Sequence, residues 1–338
     1  MNDMKGRISF KPGVIQHVYQ RTNNGYLIFY TARDYLVFYS IIMTVARQHH
    51  VRILGLCLMV DHIHLLVDVS SKEQLSRFVQ HYTSLFATIW NRQHGQSGAM
   101  FLRQYGFAPK ATGKDIRSAI AYLYNNPVEK QLCHRPEQSQ WNFLPYGASR
   151  HPFSEPLSID RARATMRRAI REVLSTRAMD APLSYTQLSR LARNLSRSEQ
   201  LQLTDYIIRI YNSIDYATVA DYFGGYSQLI TAINTTKGSE YAIKEDFTSG
   251  SDRIYSKMTQ FLLDSGAVEC IDDLIHLPQE ERLALLEPIC IATGASVQKA
   301  SKYLHLPCGI KGKSGAQHAT NQSVNKSACT KKWHKHLI

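Results

Sequence analysis

The stretch Leu58-Met59-Val60-Asp61-His62-Ile63-His64-Leu65-Leu66 decides how this chain is read. Side chains alternate across a strand, so His62 and His64 leave on one face while Ile63 leaves on the other, and two imidazoles so placed can share one metal ion. A histidine pair at this spacing is also common on an ordinary solvated face, and a second element is needed to give it meaning. That element lies about sixty residues on, in Ala121-Tyr122-Leu123-Tyr124-Asn125-Asn126-Pro127-Val128. It reads as a helix end on which Tyr122 and Asn126 stand one turn apart on the same side.

Four blocks occur together: Tyr19-Gln20-Arg21-Thr22-Asn23-Asn24-Gly25, residues 53–67, Asn91-Arg92-Gln93-His94-Gly95, and residues 122–128. In order and spacing they resemble the HUH (His-hydrophobic-His) single-tyrosine, IS200-like transposases, and in particular the REP-associated tyrosine transposases. The resemblance spans about two-fifths of the chain, from residue 14 to 146. It implies an enzyme of DNA transposition that cuts and rejoins single-stranded DNA through a 5′-phosphotyrosine, with a divalent metal and a single-stranded or hairpin DNA partner. The chain departs from the family pattern at three places. Val60-Asp61 stands where Pro-Asn is usual, Glu129 where a basic residue follows Asn-Pro-Val, and Leu102 and Gln104 replace a Gln and an Arg around the fourth strand.

The residues suit that chemistry. A tyrosine hydroxyl, with an ordinary pKa of about 10, needs help to attack phosphorus at neutral pH. A metal on His62 and His64 supplies it by polarising the scissile phosphate, and Asn126 is the candidate third ligand through its amide oxygen. Nitrogen and oxygen donors favour Mn²⁺ or Mg²⁺ over zinc. Asp61 is placed to orient a ligand histidine from behind. Tyr122 is the expected nucleophile, because Tyr124, two residues on, points roughly 200° away round a helix. Arg77, Arg92, Arg103, Lys110, Lys114 and Arg117 are the expected contacts to the DNA backbone, with Tyr105 or Phe107 stacking on unpaired bases. His49, His50, His94 and His134 lack a ligand spacing and are expected on the surface.

Charge is unevenly distributed. Of the net +13, residues 1–150 carry +9, residues 151–308 carry −2, and residues 309–338 carry +6 with no acid. A phosphate backbone is the natural partner of such a surface, although basic balance alone would also suit an anionic membrane. The longest apolar run, residues 35–46, is shorter than the roughly 18 residues of a membrane span, and no N-terminal signal pattern is present, so a cytoplasmic protein without membrane contact is expected. The six cysteines form no Cys-x-x-Cys pair, which argues against a zinc ribbon or a disulfide framework. A homodimer is one assembly the sequence leaves open.

Periodicity predicts strands over 14–21, 51–60 and 62–69, a fourth within 99–108, and helices over 32–48, after a cap at Ser70 or Ser71, and over 114–125 with Pro127 as its stop. The order β-α-β-β-α-β-α suits an α+β fold: a ferredoxin-like antiparallel or mixed sheet with helices on one side. The resemblance implies the same fold. Three parts are expected: the HUH tyrosine transposase domain over 1–150, an all-α C-terminal region over 151–308, and a basic, disordered tail over 309–338. Within 280–306 two helices flank Thr293-Gly294-Ala295 like the start of a helix-turn-helix, whose third helix is degraded by Gly309, Gly312 and Gly315.

Two other functions fit less of the sequence. A catalytically weakened DNA-binding regulator would explain the altered groove residues but not the intact His62, His64, Tyr122 and Asn126. A small-substrate metal hydrolase would need a general base beside the histidines, where only Asp61 is available.

Overall fold

The computed structural model describes residues 9–236 and 251–307. Its centre is a four-stranded sheet of β1 (Ile15–Arg21), β2 (Arg52–Met59), β3 (His62–Asp68) and β4 (Gly106–Lys110) in the order β2-β3-β1-β4, antiparallel throughout. This is the expected ferredoxin-like order, with helix α1 (Ala32–Gln48) between β1 and β2 and α2 (Lys72–His94) between β3 and β4. Both helices start where the sequence provides caps. Asp34 Oδ2 accepts from the Thr31 and Tyr30 backbone N–H groups, and Ser71 Oγ accepts from Gln74 N.

One sheet face carries Val18, Ile63, Leu65 and Val67, packed with Val37, Phe38, Ile41, Phe78, Tyr82 and Phe86 of α1 and α2 in one buried core. The other face carries Ile15, Leu54, Cys57 and Leu66 and packs with Ile116, Ala119, Ile120 and Leu123 of α3 (Gly113–Glu129). The one-sided helical layer expected from the sequence therefore describes α1 and α2, while the Tyr122 helix covers the opposite face. A ferredoxin-like sheet leaves that face bare, and its apolar row needs a cover.

The fourth strand starts at Gly106, inside the window read from the sequence, and runs two residues past it to Lys110; Tyr19 lies over its first residue, where a Cβ on Gly106 would sit 1.7 Å from Tyr19 Cζ. One local expectation is corrected. Helix α3 does not stop at Pro127 but runs through it to Glu129. Near a helix end a proline removes a single intrahelical bond, and the turn closes beyond it through Lys130 N to Asn126 O (3.0 Å) and Leu132 N to Pro127 O (2.8 Å).

Beyond the sheet the described chain is helical, as expected. Three short 3₁₀ turns fill 136–147, followed by α4 (Ala164–Ala178), α5 (Tyr185–Ala192), α6 (Arg197–Tyr211), α7 (Tyr216–Asp221) and α8 (Tyr226–Thr235). After residue 250 come α9 (Arg253–Asp264), α10 (Gln279–Ala284), α11 (Leu286–Thr293) and α12 (Val297–Tyr303). Residues of α4, α5, α6, α9, α11 and α12 join the core of the α1–α2 face. Leu229 and Ile233 of α8 join the α3 side. Gly294 ends α11, and Ser296 caps α12 by accepting from Lys299 N. The third helix of the expected motif and the tail 309–338 lie outside the described residues. No helix among the described residues is long and apolar enough to cross a membrane.

Candidate active site

Strand register builds the first half of the site. Tyr19 of β1 and Cys57 of β2 lie opposite His64, and Arg21 and Met59 lie opposite His62, so His64 is central in the sheet and fully buried while His62 lies at the strand's start. The two imidazoles are perpendicular, 5.0 Å apart between ring centres. Asp61 Oδ1 is 2.6 Å from His62 Nδ1. Although burial opposes it, this hydrogen bond and the charge of His62 hold the Asp61 carboxyl below the usual carboxylate range.

His17 of β1, not singled out by the sequence, is the third imidazole. Its Nε2 is 3.2 Å from His64 Nδ1, one ring donating and the other accepting, and the rings stack at 5.4 Å. Burial, with Lys110 adding, pushes His17 down to about 3, and burial followed by its charged neighbours pushes His64 well below its ordinary value. Both rings are thus neutral near pH 7, the state in which an imidazole offers a lone pair. No local sequence signal marks His17. Its role depends on the register that sets Tyr19 against His64, a pairing between residues 45 apart.

Helix α3, which covers this same face of the sheet, supplies the second half. The Tyr122 ring meets His64 at 5.5 Å and His17 at 5.7 Å, edge-on to both. Asn126, one turn later and 2% exposed, donates from Nδ2 to Tyr122 O at 3.0 Å, which engages its amide nitrogen. Neighbouring side chains are committed elsewhere. Asn125 donates to Ile233 O (2.7 Å) at the end of α8. Tyr124 is fully buried, its hydroxyl near Gly55, and burial pushes its phenol well above the ordinary range. The structure thus brings His62, His64, Tyr122 and His17 together, with Asp61 behind His62. Among the described residues, no group of three or more His, Cys, Asp or Glu side chains is arranged to hold a metal ion.

The basic residues expected to follow DNA are spread more widely. Lys110 ends β4, and Lys114 and Arg117 are exposed in the first turns of α3, on the side of the histidines. Arg103 is exposed just before β4. Arg77 and Arg92 are exposed on α2, which packs against the other face of the sheet. Tyr105 and Phe107, expected to stack on bases, are half-buried; Tyr105 Oη is 2.9 Å from Ser76 Oγ, and Phe107 packs near Phe10. His94 is not on the surface: it is buried, stacked on Trp90 at 4.2 Å, with Nδ1 2.9 Å from Trp90 O. Two cations that sequence reasoning passed over, Arg21 and the largely buried Lys130, stand instead at the cleft onto which His62 opens.

Residues 13–126 match the family described as "Transposase IS200 like". No curated protein matches the chain. A solved structure of a REP-associated tyrosine transposase bound to a REP hairpin is similar over 42% of this chain and 81% of that one, at 16% identity and a TM-score of 0.35. The sequence match covers all four strands and ends at Asn126, on the helix that closes the sheet face, so the similarity to IS200-like transposases extends over the whole sheet and most of α3.

Proposed function

We propose that this chain is a metal-dependent tyrosine transposase that cuts and rejoins single-stranded or hairpin DNA, with Tyr122 as nucleophile. The observation that supports this most is the convergence on one sheet face of His62, His64 and the Tyr122 ring from elements distant in sequence. Tyr122 Oη attacks the scissile phosphorus, a phosphotyrosine P–O bond forms, and the bond from phosphorus to the 3′-oxygen breaks. The phenolic proton passes to water, and the leaving oxygen takes up a proton as a 3′-hydroxyl. Attack by another 3′-hydroxyl reverses these steps and restores the tyrosine, so the phosphodiester energy is conserved and no nucleotide cofactor is required.

The donor set fits a divalent ion. Asp61 and His17 engage the Nδ1 atoms of His62 and His64, which supports Nε2 as the nitrogen that would face the ion in each ring. His62, His64 and the amide oxygen of Asn126 would hold Mg²⁺ or Mn²⁺, whose contribution is to polarise the phosphate and neutralise charge developing on it. Lys110, Lys114, Arg117 and Arg103 serve the flanking backbone, and Arg77 and Arg92 reach only DNA that wraps to the other face.

Incubation of the protein with Mn²⁺ and hairpin-bearing single strands from the flanks of its gene should give a denaturant-resistant adduct labelled from the 3′ side of the cut. Tyr122→Phe should abolish it. Tyr124→Phe should retain it, since the Tyr124 hydroxyl is buried without a hydrogen-bond partner among the described residues and its removal costs little. An adduct that survives in Tyr122→Phe would refute the assignment. A wild type that binds these strands without any adduct would favour the binding-only regulator, a reading consistent with the burial of Tyr122 and Asn126, 4% and 2% exposed.

A further inference from the structure

A cleft of about 470 Å³ opens at His62, and its two walls come from opposite ends of the chain. Arg21 at the end of β1, Asp61, His62, and Lys130 at the end of α3 form one wall. Asp252 and Tyr255 of the α9 start and Lys299 and Lys302 of α12 form the other. Four cations face two carboxylates, so the cleft is net positive beside a site with phosphate chemistry.

The second wall is firmly seated. Asp252 N donates to Lys130 O at 3.0 Å, joining the start of α9 to the end of the Tyr122 helix. Tyr26 Oη donates to Leu306 O (2.9 Å), Tyr30 Oη donates to Tyr303 O (2.5 Å), and His305 Nε2 lies 2.6 Å from Leu27 O. Lys299 Nζ donates to Ser251 O (2.6 Å), lies 3.7 Å from Asp252 Oδ1, and rests over the Tyr255 ring. Lys302 runs along Gly25, where a Cβ would stand 3.0 Å from Lys302 Cε and Nζ; the residue there also has φ +66°, so glycine satisfies both demands.

We propose that α12 is half of the DNA channel: Lys299 and Lys302, together with Arg21 and Lys130, hold backbone phosphates of the single strand that enters the site past His62. The ligand's identity as single-stranded DNA rests on the strand-transfer reading. The alternative for such a cleft is internal charge balance alone, and phosphate binding differs from it in a measurable way. Each phosphate contact made by a lysine releases counterions, which sets how steeply affinity falls with salt.

The test is anisotropy titration of a fluorescein-labelled single strand with full-length protein across about 50 to 200 mM salt, the range over which such contacts are read. All variants are made in the Tyr122→Phe background, so binding is measured whether or not Tyr122 is the nucleophile. Lys299→Gln with Lys302→Gln should weaken binding about tenfold at low salt and lower the log–log salt slope by about 1.4, or about 0.7 per lysine. Lys302→Gln alone, whose stem still fits beside Gly25, should give half the slope change with an unaltered melting temperature, and Lys302→Arg should restore it. Lys257→Gln, which removes an exposed charge of α9 outside the cleft, should leave the slope unchanged. An unchanged slope in the folded Lys302→Gln protein overturns the proposal, as does an equal change in Lys257→Gln. Loss of the adduct in an otherwise wild-type chain with normal cleft-dependent binding would count against the strand-transfer chemistry and leave the channel standing.

Discussion

Replacing Asp205 tests the joint between the sheet domain and the helices that follow. Its carboxylate, fully buried on α6, accepts from Tyr146 Oη at 2.7 Å, Gln140 Nε2 at 3.3 Å, Ser154 Oγ at 2.9 Å and the Phe153 backbone N–H at 3.1 Å. Burial, and then the charge of Asp205, push the Tyr146 phenol well above its ordinary range, so it remains a donor at any working pH. Asp205→Ala strands these four donors. A hydrogen bond to a charged group contributes about 1.5–3 kcal/mol, and a buried donor left unpaired costs about 1–3 kcal/mol, but solvent entering the gap compensates the outermost groups. The expected loss is therefore about 4 kcal/mol, at the upper end of single substitutions. Asp205→Asn keeps one acceptor and turns an amide N–H toward donors; Tyr146 can rotate to accept, the Phe153 N–H cannot, and the loss should be about 2 kcal/mol. Urea unfolding followed by tryptophan fluorescence gives both values, and proteolysis should cut sooner around residues 151–163 once Phe153 and Ser154 are released. Losses below about 1 kcal/mol for Asp205→Ala would show that the four bonds do not act together.

Two further outcomes follow from the site. Folded His17 takes up a proton only near pH 3, whereas unfolded it does so near 6.5, so its contribution is fully present above pH 6.5 and is lost as pH falls toward 3, up to about 5 kcal/mol. His17→Gln should flatten the loss of stability between pH 6 and 4 by about 1.4 kcal/mol per pH unit, and unfolding curves that fall in parallel for both proteins would contradict it. Gly106→Ala forces a methyl into the Tyr19 ring and should destabilise by about 3 kcal/mol, with much of that recovered when combined with Tyr19→Ala; strict additivity of the two would exclude the clash as the cause.

Much of the sheet could be read because its determinants are local. The two-residue period of a strand puts His62 and His64 on one face, the Ser70-Ser71 pair marks the start of α2, and 100° per residue separates Tyr122 from Tyr124. What escaped depends on partners distant in sequence. Gly106 and Pro109 are poor strand formers, and β4 is fixed by its pairing with β1 rather than by propensity. His17 acquires its meaning from the β1–β3 register, and His94 its burial from Trp90 and the C-terminal helices. Pro127 ends a helix when its missing bond lies mid-helix but not when the next turn closes behind it. Lys130, one residue after the Glu129 that breaks the family pattern, shows its position at the cleft only once α9 is docked on it.

The helix that carries Tyr122 is held on two sides. Its inner row meets the sheet, while Asn125 is fastened to the end of α8 and the carbonyl of Lys130 receives the start of α9. The tyrosine is therefore aimed by segments more than a hundred residues downstream as much as by its own domain. On the proposed chemistry, exchanging the C-terminal half would re-aim the nucleophile, and a graft of residues 13–126 onto another extension would inherit the residues of the site without their alignment.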